Sequence, residues 1–196
     1  QKHFAVILGA RPNFIKAAPF FVRAREYRDF RLSLLHTGQH YSDNMSGSFF
    51  REFGLPVPNI QLKIKGDDRS VRLGKTVGAL NRALRRLKPD GVIVFGDVDS
   101  TLAGGLAAVK NKIPLFHIES GLRSFDSRMP EEFNRIVVDH ISELLFTSEH
   151  SARTNLIREG VGPKKIKFVG NIMIESLKLY WESIVRSDVL KRLNLL

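Results

Sequence analysis

Residues 92–118, VIVFGDVDSTLAGGLAAVKNKIPLFHI, contain the pattern that decides the fold. An apolar, β-branched run at 92–95 is followed by a helical pattern at 101–111 and then by a second apolar run at 115–118. Both runs are continuous rather than alternating, which is typical of strands that are buried on both faces of a parallel sheet. The stretch therefore predicts a strand–helix–strand unit.

The same alternation of strand and helix patterns continues on both sides of this unit. Further strands are predicted at residues 4–8, 32–37, 144–147 and 166–169. Further helices are predicted at residues 12–27, 43–53, 70–87, 130–142, 150–159 and 174–185. This order predicts an α/β fold with a doubly wound parallel sheet and right-handed crossovers. Residues 55–68, with Pro56, Pro58 and Gly66, are predicted to form an irregular surface segment.

The composition limits the classes of protein to which the chain can belong. Its 196 residues are 43% apolar, which is enough for one sizeable core. The absence of cysteine excludes a disulfide framework and thiolate metal sites. No apolar run reaches the roughly 18 residues of a membrane span, so no membrane partner is predicted.

The formal net charge of +11 has three interpretations: a solvated surface, steering of a phosphorylated small molecule, or binding of nucleic acid. The basic residues are scattered over predicted helix faces and helix ends, which favours a solvated surface. The sequence has neither an RNA-binding signature nor zinc-finger spacing, so nucleic acid is not predicted as a partner.

Residues 176–196 are amphipathic and end on Leu193, Leu195 and Leu196. We predict that they form a connecting helix after a domain at residues 1–175. An apolar chain end indicates a partner surface, which is either a second domain or another subunit.

Polar residues follow the first two predicted strands. Arg11 stands at the start of a predicted helix and Lys16 lies about one turn further on. A helix N-terminus with cations beside it suits an anion, and the alternative is an ordinary strand-to-helix turn. Gln39 and His40 follow the second strand, where the alternative to a binding role is a loop cap.

Carboxylates follow the next two strands. Asp97 directly follows a buried strand and could be a base, a metal ligand or a ribose ligand, or could cap the next helix. Glu119 ends the following strand and Glu131 begins a helix, with Arg135 four residues later as a candidate ion-pair partner. Because parallel strands end at one edge of the sheet, we expect the three carboxylates to converge there. Such a group suits general acid and base catalysis.

The charged residues around these carboxylates divide into two sets. Three cations would offset the repulsion among the carboxylates and could hold a diphosphate, namely Arg11, Lys16 and Arg135. Three further charged residues are interpreted as structural, namely Asp126, Arg128 and Glu132.

Five segments, in order along nearly the whole chain, read GARPNFIKAAP, LLHTGQHYSDNM, VIVFGDVDSTLAG, IPLFHIESGLRSFDSRMPEEFNRIVVDHISELLF and FVGNIMIESL. Together they resemble the non-hydrolysing UDP-N-acetylglucosamine 2-epimerases. The resemblance implies a fold of the glycosyltransferase-B type, in which two Rossmann-like domains enclose the active-site cleft. It also implies that this chain is the N-terminal domain, that the second domain is absent from it, and that it is inactive alone.

The resemblance further implies conversion of UDP-N-acetylglucosamine to UDP-N-acetylmannosamine. UDP leaves by anti elimination to give a 2-acetamidoglucal and then adds back with inversion at carbon 2. Asp97, Glu119 and Glu131 match the catalytic carboxylates of the family. The positions that match its substrate-binding residues are Arg11, Lys16, Arg135, Gln39 and His40. Neither a metal nor another cofactor is implied, and we expect a cytoplasmic homodimer.

The identity of the sugar stays open at this point. The segment FDSRMPEEFNR also resembles relatives that act on other UDP-2-acetamido sugars, and the residues after His40 depart from the Arg-Glu pair of many bacterial members. Two competing hypotheses are a glycosyltransferase of the same architecture and a non-catalytic module that binds a sugar nucleotide.

Overall fold

The fold is organised around one parallel sheet, seen in a computed structural model that describes residues 1–38, 50, 52–66 and 68–195. Its strands are β1 Lys2–Leu8, β2 Phe30–His36, β3 Ile60–Gln61, β4 Gly91–Phe95, β5 Leu115–Ile118, β6 Leu144–Thr147 and β7 Ile166–Phe168. They lie in the order β3-β2-β1-β4-β5-β6-β7, and every neighbouring pair is parallel.

Helices follow most of the strands. In the described part of the chain they are α1 Arg11–Ala24, α2 Arg69–Leu87, α3 Asp99–Lys110, α4 Pro130–Ile141, α5 His150–Arg158, α6 Ile172–Val185 and α7 Val189–Arg192, with a short 3₁₀ turn at Pro163–Lys165. None of these described helices has the length and apolar character needed to cross a membrane.

Both faces of the sheet are covered by helices. One apolar core packs α2 and α3 against strand side chains such as Ile7 and Val94. The other core packs α1 against strand side chains such as Val6 and Ile93. Successive residues of the central strands thus enter opposite cores, which explains why these strands are continuously apolar. The doubly wound, Rossmann-like α/β arrangement predicted from the sequence is confirmed.

One strand was not predicted. Ile60 and Gln61 of β3 pair with Leu35 and His36 of β2, so the interpretation of residues 55–68 as wholly irregular is wrong. A two-residue strand at the edge of a sheet is too short to produce a periodic pattern. The helix predicted at 43–53 extends over residues outside the described part of the chain.

Helix α6 joins the C-terminal segment to the sheet. It begins at Ile172, and two of its side chains anchor it: the Ser176 hydroxyl donates to the Ile15 carbonyl and the Tyr180 hydroxyl to the Phe53 carbonyl, both at 2.8 Å. Its other side exposes large apolar residues, namely Leu177, Trp181, Ile184 and Val185. The partner surface predicted for this segment stays a prediction.

The strand order reverses between β1 and β4, which opens a crevice at their carboxyl ends. Gly9 ends β1 at this point and is tightly enclosed. A Cβ atom on Gly9 would lie 2.3 Å from the Ser100 hydroxyl oxygen and 2.6 Å from that of Thr37. Only a residue without a side chain fits, and this brings the start of α1 close to the loop after β4.

We expect Gly9→Ala to lower the free energy of unfolding by about 1–3 kcal/mol, because the added methyl group must displace Ser100 and Thr37. Gly74→Ala is the matched control. Gly74 lies in α2 with no atom within 4 Å of an added Cβ, so this change should raise stability by about 1 kcal/mol. Urea denaturation measures both. A Gly9→Ala variant as stable as the unaltered chain would contradict the enclosure of Gly9.

Candidate active site

The carboxyl ends of β4 and β5 hold a compact charged cluster. Arg135 of α4 is buried, with 5% of its surface exposed. Its guanidinium donates to the Asp97 carboxylate and to the Glu119 main-chain carbonyl. The same guanidinium lies 3.7 Å from a carboxylate oxygen of Glu119. Two of the three carboxylates predicted to converge therefore share one buried cation.

Lys16 of α1 completes this cluster. Its ammonium nitrogen lies 2.7 Å from the second carboxylate oxygen of Glu119. Gly96 lies directly beneath, with φ of +64°, and a Cβ atom there would be 3.2 Å from the Lys16 nitrogen. Gly96 therefore supplies both the left-handed turn after β4 and the space that Lys16 occupies.

Glu119 has a strained backbone. Its φ is +66°, in the left-handed region that residues with a Cβ atom rarely adopt. The N–H groups of Glu119 and Ser120 both donate to the Phe146 carbonyl, at 3.0 and 3.1 Å, and hold the turn. Non-glycine residues kept in this region cluster at functional sites, so Glu119 stays a candidate catalytic residue.

Asp97 does not cap the following helix. The N-cap of α3 is Val98, with no side-chain cap hydrogen bond, so this structural alternative for Asp97 is wrong. The Asn134 side chain instead donates to the Asp97 carbonyl at 2.8 Å and to the Asp99 carboxylate at 3.1 Å. Arg69 binds Asp99 through two hydrogen bonds of 2.7 Å, and this pairing lowers the pKa of Asp99.

Glu131 lies beside the cluster and makes no direct contact with it within the described residues. At the start of α4, its carboxylate is 3.9 Å from Arg69. Arg135 pairs with Asp97 and Glu119 rather than with Glu131, so the ion pair considered from their four-residue spacing is not formed. Within the described residues, Glu131 is connected to Asp97 through a series of contacts. Glu131 lies near Arg69, Arg69 binds Asp99, and Asn134 donates to both Asp99 and the Asp97 carbonyl.

Three other residues were predicted to bind substrate. One of them, Arg11, lies beside the cluster, and the other two lie outside the described part of the chain. Arg11 is the first residue of α1 and is exposed. With Lys16 and Glu119 it lines a cleft of about 470 Å³ that also borders Glu149. Gln39 and His40 lie outside the described residues.

The charges interpreted as structural have structural contacts. The Glu132 carboxylate accepts the N–H groups of Ser124 and Phe125 at 2.9 and 3.0 Å, and so closes the loop before α4. Burial raises the pKa of Glu132, but these two donors, the Ser124 hydroxyl and the charge of Arg123 together outweigh it and leave the pKa below its usual range. Asp126 forms an exposed pair with Arg128 at 2.8 Å.

A second group of buried charges was missed from the sequence. His117 and Asp139 are fully enclosed side chains whose Nδ1 and Oδ1 atoms lie 2.7 Å apart. Arg123 also contacts Asp139 at 2.7 Å. One signal was available, because Arg135 and Asp139 are four residues apart and share a helix face. The strand position of His117 gave no comparable signal.

The family model described as UDP-N-acetylglucosamine 2-epimerase matches residues 23–194. The chain belongs to this family. The matched range includes four of the predicted site residues, namely Asp97, Glu119, Glu131 and Arg135. Lys16 precedes it, and α1 brings Lys16 to the same edge of the sheet.

The relatives of this family member are similar to it over about half of their own length. The UDP-N-acetylglucosamine 2-epimerase of Methanocaldococcus jannaschii is 44% identical over 172 residues, which cover 88% of this chain and 47% of that protein. The UDP-2,3-diacetamido-2,3-dideoxy-D-glucuronate 2-epimerase of Pseudomonas aeruginosa is 44% identical over 172 residues, covering 87% and 49%.

The solved structures agree with this relationship. The crystal structure of the M. jannaschii UDP-GlcNAc 2-epimerase in complex with UDP-GlcNAc and UDP superposes with a TM-score of 0.91 and 40% identity. The match covers 97% of this chain and 52% of that one. The chain thus spans about half the length of the relatives that it matches.

We expect Glu132→Gln to lower the free energy of unfolding at neutral pH by about 1–3 kcal/mol, because the amide offers only one oxygen to two N–H donors. The pKa of Glu132 is depressed in the folded state, so its stabilisation is present above the unfolded pKa and is lost as pH falls through the folded value. The variant should therefore lose less stability than the unaltered chain between about pH 5 and pH 3.

Urea titrations at several pH values measure this difference. Glu143→Gln is the control, because the Glu143 side chain is 64% exposed and its ion pair with Lys165 is long, at 3.8 Å. An unchanged pH profile in Glu132→Gln would contradict a stabilising role of the Glu132 carboxylate.

Proposed function

We propose that the chain forms the N-terminal half of a UDP-N-acetylglucosamine 2-epimerase and one wall of its active site. The observation that carries the proposal is the pairing of Asp97 and Glu119 through Arg135, with Lys16 beside Glu119, at the carboxyl edge of the sheet. Membership of the family supports it.

In the proposed reaction a carboxylate removes the proton from carbon 2 of the sugar. The C–H electron pair forms the double bond between carbons 1 and 2, and the bond from carbon 1 to the diphosphate oxygen breaks, so that UDP leaves with its electron pair. UDP then adds back at carbon 1, and carbon 2 takes a proton on the opposite face. Two faces require two acid–base groups, and Asp97, Glu119 and Glu131 are the proposed set.

The cations have a separate role in this proposal. Arg11 and Lys16 border the cleft of about 470 Å³, next to Glu119. Negative charge develops on the leaving diphosphate, and cations already in place there stabilise it. The N-terminus of α1 adds its own preference for an anion.

The second half of the fold is proposed to supply the opposite wall of the cleft and the contacts to uridine. For this reason the 196 residues alone are expected to lack turnover. The homodimer and the cytoplasmic location expected from the resemblance stay predictions.

A related UDP-2-acetamido sugar is the second candidate substrate. The observation that favours it is the identity to the P. aeruginosa UDP-2,3-diacetamido-2,3-dideoxy-D-glucuronate 2-epimerase, which at 44% equals the identity to the M. jannaschii enzyme. The acid–base groups would serve both sugars, since the reaction at carbon 2 is the same.

The first experiment follows deuterium uptake at carbon 2 in deuterated water. Residues 1–196 are assayed alone and joined to the second half of the M. jannaschii enzyme, with each of the two UDP-sugars. We expect exchange and the carbon-2 epimer from the joined protein and neither from residues 1–196. Mass spectrometry and proton NMR measure both. A joined protein that folds and binds UDP but exchanges no deuterium in either sugar would contradict the proposal.

In the same joined protein we expect Asp97→Asn to lower kcat by about 10²–10⁴-fold, because the amide cannot accept the proton while it still accepts a hydrogen bond from Arg135. Asp126→Asn is the matched control, because the Asp126 carboxylate pairs with the exposed Arg128 two residues further on. Steady-state kinetics with circular dichroism separates catalysis from folding. Retained turnover in Asp97→Asn would remove Asp97 from the mechanism.

A further inference from the structure

A chain of charged side chains, buried except at Glu159, runs beneath the candidate site and is not part of the cleft. Glu159, at the end of α5, binds Arg123 through two hydrogen bonds of 2.7 and 2.6 Å. Arg123 donates at 2.7 Å to Asp139 of α4, and Asp139 contacts His117 of β5 at 2.7 Å. The chain ends at the Gly96 carbonyl, which lies 2.7 Å from the other ring nitrogen of His117.

His117 therefore lies between two oxygen atoms that only accept hydrogen bonds. The Gly96 carbonyl has no proton to donate. Asp139 accepts hydrogen bonds from Arg123 and from the Gly121 N–H at 3.0 Å, so its carboxylate is also an acceptor. Burial raises the pKa of Asp139, but His117 and Arg123 outweigh it and hold that pKa below its usual range.

A neutral imidazole carries one N–H group and one lone pair. In either tautomer the lone pair would face an acceptor oxygen at 2.7 Å, in a site from which water is excluded. An imidazolium donates to both oxygens. It also pairs each cation with an anion, since His117 and Arg123 then match Asp139 and Glu159, the last of which is 27% exposed.

We propose that His117 is held as an imidazolium and fixes the Gly96–Asp97 peptide group, which makes it a positioning residue for Asp97. The positioning role of His117 in catalysis rests on the proposed function, whereas the charge state of His117 does not.

The contacts of Asp97 explain how this positioning would act. His117 holds the peptide group before Asp97 through the Gly96 carbonyl, and Asn134 holds the peptide group after it through the Asp97 carbonyl at 2.8 Å. Gly96 has a φ of +64° and is free to turn. With both neighbouring peptide groups fixed, the Asp97 carboxylate is aimed at Arg135.

The charge state of His117 is measured directly by NMR. Residues 1–196, labelled with nitrogen-15 in the imidazole rings of their six histidines, are studied at about pH 8, where an ordinary histidine is neutral. The His117 signals are assigned by their loss in His117→Gln. We expect a proton on both ring nitrogens of His117, and a single proton would overturn the proposal.

The charged groups that face this ring give a second measurement. They are Asp139 of α4, Arg123 behind it and Glu159 of α5, with His140 3.8 Å from Glu159. Asp139→Asn removes the anion that faces His117, so its ring should show a single proton at about pH 8. Two protons in this variant would contradict the pairing that we propose.

Kinetics in the joined protein tests the positioning role. We expect His117→Gln to lower kcat by about 10–100-fold with little change in KM, because a displaced Asp97 affects the reacting geometry more than binding. His3→Gln is the matched control. His3 is also a buried histidine, hydrogen-bonded to Ser33 at 2.8 Å, but it lies near the amino end of β1, whereas the candidate site is at the carboxyl ends of the strands.

The outcomes separate the two proposals. An equal kcat in His117→Gln and His3→Gln would overturn the positioning role. An inactive joined protein whose His117 carries two protons would contradict the proposed function and leave the charge state of His117 established. If His117→Gln does not fold, His117→Asn replaces it both in the assignment of the His117 signals and in the kinetics.

Discussion

The candidate site depends on one buried guanidinium. Arg135 binds the Asp97 carboxylate beyond β4 and the Glu119 carbonyl beyond β5, so it ties two neighbouring strand ends together. Without this cation, two carboxylates would lie at one edge of the sheet and lose the charge that they share, although Lys16 would still pair with Glu119. The side chain of Arg135 is 6% exposed and that of Glu119 is 16% exposed, so little water could replace the lost charge at Glu119, whereas Asp97 is 31% exposed. The relative position of Asp97 and Glu119 is therefore set by the packing of α4.

That packing has a polar part and an apolar part. Toward the site, α4 presents three buried polar side chains, Asn134, Arg135 and Asp139, while Val138 and the partly buried Val137 and Ile141 pack against the apolar core. The three polar side chains all have partners, at Asp97, Glu119 and His117 respectively. The neighbouring helices α2 and α3 carry the apolar core on the same face. Helix α4 thus joins the same apolar core and, with its polar side chains, orients the charges of the site.

The division between what the sequence predicts and what it does not has a physical basis. Parallel strands must end at one edge, so the approach of Asp97 and Glu119 followed from the strand order alone. The ion-pair partner of Arg135 was not predicted correctly. Helical spacing suggested Glu131, whereas Arg135 pairs with Asp97 through tertiary packing. The contact between His117 and Asp139 joins residues that are 22 apart in the chain, and helix or strand periodicity cannot predict a contact between two different elements. The short strand β3 was not predicted for the related reason that two residues carry no period.

Two of the left-handed residues at this edge, Gly96 and Glu119, show how the site is arranged in advance. Gly96 turns the chain after β4 at no steric cost, whereas Glu119 makes the same turn after β5 at a cost of about 1–3 kcal/mol. Replacing Glu119 by glycine would relieve this strain, but it would remove the carboxylate that Lys16 binds. The strain is thus the consequence of placing a charged side chain where the backbone favours glycine. Since α1, α4 and the sheet already hold Lys16, Arg135 and Asp97 around it, a substrate would meet charges that need no rearrangement during the reaction.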